Sequence, residues 1–290
     1  MAELQRIAAH LIWLGTHVLD IGATTPIFYT FREREDILRI FEEVAGGRLT
    51  PTYLRIGGVS KDLPEGIEEK IKAFVQAFPA RMNEYETLLT KNVIWLKRTK
   101  EVGIISKEDA INWGVTGPTL RGSGVKWDVR KAFPYSSYEE FEFDIPIGKI
   151  GDVYDRYYVR LREMEWSNSI VEQALERLPK GPIIANDPRI TLPPKDDVLQ
   201  DIASLIRQFK IVSEGFEPPK GEVYASVEAS KGELGFYIIS DGSNHPFRVR
   251  IRPPSFLNLS ALPKMIEGSL IADVVSAIGS IDIVLGEIDR

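Results

Sequence analysis

The sequence predicts an α+β fold that is mainly α, with a small antiparallel β meander near the C-terminus. Apolar residues recur every three or four positions over most of the first 215 residues, as on the buried face of a helix. The period changes to two between residues 223 and 252, where apolar and polar residues alternate as in half-buried strands. We therefore predict a helical core domain over 1–215, and a second unit over 216–290 that holds the meander, a C-terminal helix and a tail returning to the core.

The first predicted helix covers residues 2–21. Its apolar stripe consists of Leu4, Ile7, Ala8, Leu11, Leu14, Val18 and Ile21. No Ser, Thr, Asp or Asn precedes this helix to satisfy its first backbone N–H groups. We therefore expect the chain to begin inside a helix and to be the C-terminal part of something longer. A natural N-terminus that frays is the alternative.

Pro26 and an aromatic run lead into a second predicted helix, which the glycine pair 46–47 ends. Residues 51–64 are predicted to form a loop. The apolar pattern over 65–100 predicts helices that are interrupted near Pro79, because proline removes a backbone donor.

Ser106 and Asp109 have the spacing of a capping box, which predicts a short helix after Ser106. Residues 115–151 lack a helical period and are rich in glycine, proline and aromatic residues, so we expect a long functional or packing loop. The longest periodic stretch, 152–178, predicts a long amphipathic helix, and another helix is expected from about Asp196.

Alternating segments at 223–229 and 247–252 predict strands, with a third between them around 236–239. A last helix is expected over 271–278, followed by a tail. In the last of these strands Arg248, Arg250 and Arg252 share one face. A solvated surface is the simpler interpretation of this row, and a surface for an acidic partner is the alternative.

Composition excludes several classes of function. The 290 residues carry a formal charge of -6, which argues against nucleic-acid binding. The chain has no cysteine, so it cannot supply a thiolate nucleophile or cysteine ligands for an iron–sulfur cluster. No two of its three histidines have zinc-motif spacing, and no apolar stretch reaches the roughly 20 residues that cross a bilayer. The N-terminus does not resemble a secretory signal either, which makes the cytoplasm the default location.

Nucleotide and hydrolase motifs are missing from the sequence. Gly117 and Gly122 have P-loop spacing, but Ser123 and Gly124 stand where Lys and Ser or Thr are required. Neither GxGxxG nor GxSxG occurs.

Three residues of the first helix form a candidate site. Ile12, Thr16 and Asp20 are spaced by four, which places an aliphatic group, a hydroxyl and a carboxylate along one helix face. A carboxylate beside apolar surface could exchange a proton near physiological pH or pair with a cationic or histidine partner. The alternative is that Asp20 is a solvated residue of the last turn or a member of a structural ion pair.

Segments spread over essentially the whole chain carry a resemblance to one family: His10–Gly15, Asp20–Gly22, Thr25–Pro26, Phe31–Glu35, Arg55–Gly58, Gly117–Arg121, Gly124–Val125, Asp128–Lys131, Gly221–Glu222, Lys231–Gly235, Arg252–Pro254 and Ile281–Arg290. They closely resemble the hydrogenase-like D subunit of complex I, the energy-converting NADH:quinone oxidoreductase. The cyanobacterial and chloroplast branch is also similar, at Ala110–Gly114 and Gly279–Ile283.

The resemblance implies a helical bundle like the large subunit of nickel–iron hydrogenases, with the metal-binding cysteines lost. It implies quinone as substrate and no metal or other cofactor on this chain. Partners would be a small iron–sulfur subunit that carries the terminal cluster, other peripheral-arm subunits that hold flavin, NADH and further clusters, and a membrane-arm subunit at the quinone entry. The complex would lie at the cytoplasmic face of the cell membrane.

Carried over residue by residue, Asp20 matches the family aspartate that pairs with a quinone-binding histidine. Ile12, Thr16, Phe28 and Val284 match positions that line the quinone chamber or inhibitor site. Thr50 stands where many relatives have a histidine near the terminal cluster, which puts protonation coupling to that cluster in doubt.

Relatives also have an N-terminal region with a glycine-proline-histidine loop and a tyrosine at the quinone headgroup, and no such residues precede Met1. One alternative to a working quinone-reducing subunit is therefore a non-catalytic scaffold fragment. The other is the equivalent subunit of a ferredoxin-driven photosynthetic quinone reductase.

Overall fold

The computed structural model describes residues 1–289, which are mainly helical with two small antiparallel sheets. The helices are α1 (Ala2–Asp20), α2 (Thr25–Ala45), α3 (Ile67–Leu89), α4 (Val93–Thr99), α5 (Lys107–Asn112), α6 (Gly117–Gly122), α7 (Val129–Ala132), α8 (Val153–Glu176), α9 (Lys195–Gln200), α10 (Ile202–Ser213), α11 (Pro254–Ser260), α12 (Leu262–Ile266), α13 (Ile271–Ile281) and α14 (Leu285–Ile288). The strands are β1 (Leu54–Arg55), β2 (Gly58–Val59), β3 (Gly221–Ala229), β4 (Gly232–Ser240) and β5 (Arg248–Arg252). The predicted α+β class is confirmed.

The main hydrophobic core lies where α1, α2, α3 and α8 pack together. The predicted stripe of α1 is buried in it, from Leu4 to Val18. α2 begins at Thr25, so the aromatic run lies inside this helix rather than before it. The helix ends as predicted, because Gly46 adopts the left-handed conformation that stops a helix.

The predicted interruption at Pro79 is wrong, since α3 continues through it. Proline has no N–H to donate to the carbonyl four residues earlier, which is that of Val75. The side-chain amide of Asn168, on α8, donates to this carbonyl at 3.1 Å and replaces the missing bond. A residue 93 positions away in sequence thus allows the helix to continue.

Two loop predictions and one helix prediction need smaller corrections. Residues 51–64 contain the short hairpin β1–β2, and 115–151 contains α6, α7 and a 3-10 turn at Tyr138–Glu140. The helix expected from Asp196 is two helices, because the chain extends at Asp201, whose side chain caps the second one. The predicted Ser106 cap is confirmed, with the hydroxyl accepting from the N–H of Asp109 at 3.0 Å.

The meander is confirmed, with β3, β4 and β5 antiparallel in that order. Its charged face turns toward the body of the protein at one end, where Glu228 is buried. The other face carries Val223, Val227, Phe236, Val249 and Ile251, all of them exposed. The sheet therefore presents its apolar side outward. Helices α9 and α10 are exposed as well, since neither has a buried residue.

The C-terminal segment contains α11 and α12, which the sequence did not predict, before the predicted helix α13. Arg6 of α1 donates to the carbonyl of Glu228 at 2.6 Å, so the meander is bonded to the first helix. The division into two domains at residue 215 stays a prediction. No helix within residues 1–289 is long and apolar enough to cross a bilayer.

Candidate functional site

The candidate residues of α1 lie on its one solvent-facing strip. Thr16 and Asp20 are exposed and Ile12 is half-buried, whereas the rest of the helix is largely enclosed. The Thr16 hydroxyl donates to the carbonyl of Ile12 at 2.9 Å. The side chain of Asp20 has no hydrogen bond or ion pair to any described residue. Its carboxylate would be removed from water only if another molecule covered this surface.

This strip runs between α2 and α13. On one side Gly15 lets α2 approach, because a Cβ there would lie 2.5 Å from Oγ1 of Thr30. On the other side the indole N–H of Trp13 donates to the carbonyl of Gly279, in α13, at 2.8 Å. Gly15 faces α2 and Trp13 faces α13, so residues of α1 whose side chains point between these two helices face outward. The strip is therefore an open surface with a helix on each side, and we call this surface the α1 cleft, with the strip as its floor and the two helices as its flanks.

The other two candidates belong to the flanking elements. Phe28 lies in the first turns of α2 with 75% of its surface exposed, and Val284 follows α13 with 41% exposed. The backbone N–H of Val284 donates to the hydroxyl of Ser255 at 3.2 Å. The structure thus distributes the five predicted residues over the floor and both flanks of the cleft. No hydrogen bond, ion pair or ring contact within the described chain joins Phe28 or Val284 to the three residues of α1.

A network of buried charges behind the cleft was not predicted. His10 of α1 contacts Glu163 of α8, with Nε2 to Oε2 at 2.9 Å, and both side chains are buried. Arg121 of α6 approaches the other oxygen of Glu163 through Nε at 2.7 Å. Burial alone would raise the pKa of Glu163, but Arg121 and His10 hold it well below its usual range. Burial lowers the pKa of His10 to about 4 despite the nearby carboxylate.

The network extends to the meander. Arg121 also donates to Oε1 of Glu228, on β3, at 2.9 Å. Asp128 caps α7 and holds Arg130 in a two-point contact, with Nε to Oδ1 at 3.0 Å and Nη2 to Oδ2 at 2.6 Å. Arg130 reaches Glu3 of α1 at 3.2 Å. Four carboxylates and several guanidinium groups are thus buried and paired, as buried charge requires.

A second buried cluster lies beside the end of α13. Lys231 contacts Asp282 at 2.5 Å, and Arg160 lies 3.9 Å from the same carboxylate. Arg156 is buried with only neutral acceptors within hydrogen-bond distance, among them Oγ of Ser280 at 2.8 Å. Burial, and after it the charge of Arg160, lowers the pKa of Arg156 to about 9.

His17 is buried between these arginines and two indole rings. Its ring stacks on Trp13 with centroids 5.5 Å apart and meets the edge of Trp95 at 5.4 Å. Neither ring nitrogen has a hydrogen-bond partner among the described residues. Burial, followed by the charges of Arg160 and Arg156, lowers the pKa of His17 to about 3.

A sequence signal for the buried charges does exist. Polar residues of α1 recur with spacings of three and four at Glu3, Arg6 and His10, which places them on one helix side. α8 repeats the pattern with Arg156, Arg160 and Glu163. This spacing shows that the polar residues share one side of a helix. It does not show that the side is buried unless the elements packed against it are known.

A cavity of about 510 Å³ lies between α2 and α3, away from these residues. Its lining mixes charges of both signs with Phe74 and Phe78 and includes none of the five candidates. Because the α1 strip is an open surface, we assign the candidate site to the cleft by its chemistry and not to this cavity. Within residues 1–289, no group of three or more histidine, aspartate or glutamate side chains could hold a metal ion.

Comparison with known proteins gives one consistent family. Residues 20–290 match the model of the respiratory-chain NADH dehydrogenase 49 kDa subunit. The NADH-quinone oxidoreductase D subunit of Geotalea uraniireducens is 56% identical over all 290 residues, which cover 74% of that protein. The protein of the same name from Geobacter sulfurreducens is 54% identical with the same coverage. A D subunit of the same enzyme from Solibacter usitatus is 52% identical over the whole chain and 71% of its own length.

Proposed function

We propose, from the premise that the chain belongs to the family of the respiratory-chain NADH dehydrogenase 49 kDa subunit, that its α1 cleft is one wall of a quinone-reduction chamber. Membership makes the chain a subunit of an oxidoreductase complex, complex I, which is membrane-associated. The observation that carries the proposal is that Ile12, Thr16 and Asp20 lie along the solvent-facing strip of a helix whose other residues are largely buried. A solvent-facing strip whose carboxylate has no hydrogen-bond partner among the described residues suits a surface that is completed by substrate and other subunits.

Each candidate has a role that fits its position. Ile12, Phe28 and Val284 would supply apolar contact to the quinone ring or its tail, since ligand sites combine apolar lining with few polar groups. Thr16 would offer its hydroxyl, and Asp20 would accept a hydrogen bond from a histidine that donates to the quinone oxygen.

That histidine is not His10 or His17, because both rings are buried behind the cleft. His245 lies in the loop between β4 and β5, where its ring contacts Asn244. We therefore propose that the histidine comes from a segment other than these three positions, on the same subunit or on a partner. Reduction of a quinone to a quinol takes two electrons and two protons. The electrons would come from the terminal iron–sulfur cluster of a small partner subunit, while Asp20 would hold the histidine in the orientation and protonation state that favour proton donation.

The same family membership supports further parts of the proposal. The helices would be arranged as in the large subunit of nickel–iron hydrogenases, other peripheral-arm subunits would hold the flavin, the NADH and the remaining clusters, and a membrane-arm subunit would close the quinone entry. The complex would face the cytoplasm.

The test is Asp20→Asn in the assembled complex, with Asp196→Asn as the matched control. Asp196 is an exposed aspartate of α9, which contacts mainly α10. We expect Asp20→Asn to lower NADH-driven reduction of decylubiquinone on the order of tenfold or more, as loss of one acid–base partner does. NADH oxidation by hexacyanoferrate, which bypasses the quinone, should not change.

If the Asp20→Asn complex reduces quinone at the wild-type rate, the proposed role of Asp20 is refuted. A complex that assembles with this chain but reduces no quinone, with either NADH or reduced ferredoxin, would instead indicate a scaffold. Activity with ferredoxin alone would assign the chain to the photosynthetic type of reductase.

A further inference from the structure

The last turn of α13 is fixed by three side chains from other helices. Trp13 of α1 donates to the carbonyl of Gly279 at 2.8 Å. Arg156 of α8 donates to Oγ of Ser280 at 2.8 Å, and Arg160 donates to the carbonyl of Ile281 at 3.2 Å. Three consecutive residues are thus hydrogen-bonded to α1 and α8, directly before the chain continues to Val284.

Gly279 is required because there is no room for a side chain, and not because of its backbone conformation. It lies inside a helix, where alanine is more favourable than glycine. A Cβ at this position would lie 2.3 Å from Nδ1 of His17 and 3.1 Å from its Cε1. Ordinary contact needs roughly 1 Å more than the shorter distance. The missing side chain therefore sets how closely α13 can approach α1.

The imidazole of His17 has little room to move away. Trp13 stacks on one face of it, Trp95 meets it at an edge, and the side chain is buried. The guanidinium of Arg160 lies 4.4 Å from the Trp13 ring on the same side of α1. A methyl group on residue 279 would thus displace α13 itself. His17 immediately follows Thr16 and lies one turn before Asp20, so this contact joins the floor of the cleft to its flank.

We propose that Gly279, with Trp13 and His17, is a positioning element that sets the separation between the floor of the cleft, on α1, and its Val284 flank. None of the three needs to touch the substrate. The inference rests on the proposed quinone chamber for its functional consequence, but its geometric part stands independently. A larger separation between α1 and α13 would weaken the contact of a quinone ring with both the floor and the Val284 flank.

The geometric part is tested by a distance measurement on the full chain, which has no cysteine of its own. Spin labels on Leu19→Cys and Leu285→Cys, two exposed positions, report the separation of α1 from the segment after α13. Gly279→Ala should lengthen the mean distance by about 1 Å, the amount that ordinary contact requires. Adding His17→Ala should restore it, because the obstructing ring is then absent.

The functional part is tested by steady-state kinetics in the assembled complex. Gly279→Ala should raise the KM for decylubiquinone on the order of tenfold, with a smaller change in kcat, because a shift near 1 Å misplaces a bound reactant. The double variant with His17→Ala should recover the KM. Gly286→Ala is the matched control, since a Cβ there meets nothing within 4 Å, and it should keep the wild-type KM.

The outcomes separate the two proposals. An unchanged label distance in Gly279→Ala overturns the positioning role, and so does an equal KM change in Gly286→Ala or a double variant that recovers nothing. A lengthened distance with unchanged quinone kinetics leaves the spacing role intact and contradicts the quinone chamber. If Gly279→Ala does not fold, Trp13→Phe removes the bond to the Gly279 carbonyl without adding atoms. It should widen the distance distribution and raise the KM, and wild-type values for both would refute the inference.

Discussion

Replacing His17 by leucine should make the protein more resistant to acid. The ring is buried, neither nitrogen has a hydrogen-bond partner among the described residues, and leucine has a similar volume. At neutral pH the substitution should therefore change the free energy of unfolding by less than about 1.5 kcal/mol. At lower pH it removes a group that the unfolded chain protonates and the folded chain does not.

The sign and size of the effect follow from the pKa of His17. Burial, with Arg160 and Arg156, lowers this pKa from 6.5 to about 3. The unfolded chain thus binds a proton below pH 6.5 that the folded chain rejects, so the contribution to stability is complete above 6.5 and is lost as the pH falls. Each pH unit costs about 1.36 kcal/mol. Between pH 7 and pH 5 the loss due to His17 is about 2 kcal/mol.

Urea unfolding followed by far-ultraviolet circular dichroism at both pH values measures this loss. Wild-type should lose about 2 kcal/mol more than His17→Leu between the two conditions, because the other groups titrate in both proteins. His245→Leu is the control, since this ring is exposed in the folded protein, and it should follow wild-type. Equal losses in wild-type and His17→Leu would refute the assignment of a buried, neutral imidazole.

Two further predictions concern the same free energy of unfolding. Asn168→Leu should lower it by about 1–3 kcal/mol because the Val75 carbonyl loses its donor. Combining it with Pro79→Ala should recover much of that loss, since residue 79 then has an N–H, and strictly additive losses in a double-mutant cycle would contradict this. Glu163→Gln should cost about 1.5–3 kcal/mol, because Arg121 and His10 lose a charged hydrogen-bond partner while Glu228 still pairs with Arg121. Glu43→Gln, which disrupts an exposed ion pair, should cost less than about 1 kcal/mol in the same titration, and equal costs would be evidence against the buried network.

Helical periodicity predicted the long elements because their apolar faces meet one core. α1 and α8 lie within a few residues of their predicted bounds, and the meander follows its alternation. Pro79 was misjudged because the compensating donor, Asn168, comes from another helix. α11 and α12 were missed because each is short and has at most one buried apolar side chain, which leaves no stripe to detect.

The candidate site was predicted only in part. Spacing alone placed Ile12, Thr16 and Asp20 on one face of α1, and the structure keeps that face exposed. Phe28 and Val284 came from the resemblance, since neither has a local pattern that marks it. The spacing of the charges behind the cleft places them on one side of a helix but does not show that this side is buried, because a helical Glu or Arg has the same spacing in solvent as in a salt bridge with a distant helix.

The buried polar contacts between α1 and α8 also affect how stability responds to temperature. Unfolding this interface exposes Glu163, His10 and Arg160 to water together with its apolar side chains. Hydration of polar groups lowers the heat capacity, whereas hydration of apolar groups raises it. The interface therefore contributes a smaller heat-capacity change than an apolar interface of equal area, and its stability curve is flatter. The cost of desolvating charges also falls on warming, so the contact that supports the cleft from behind weakens less with heat than the aliphatic core beside it.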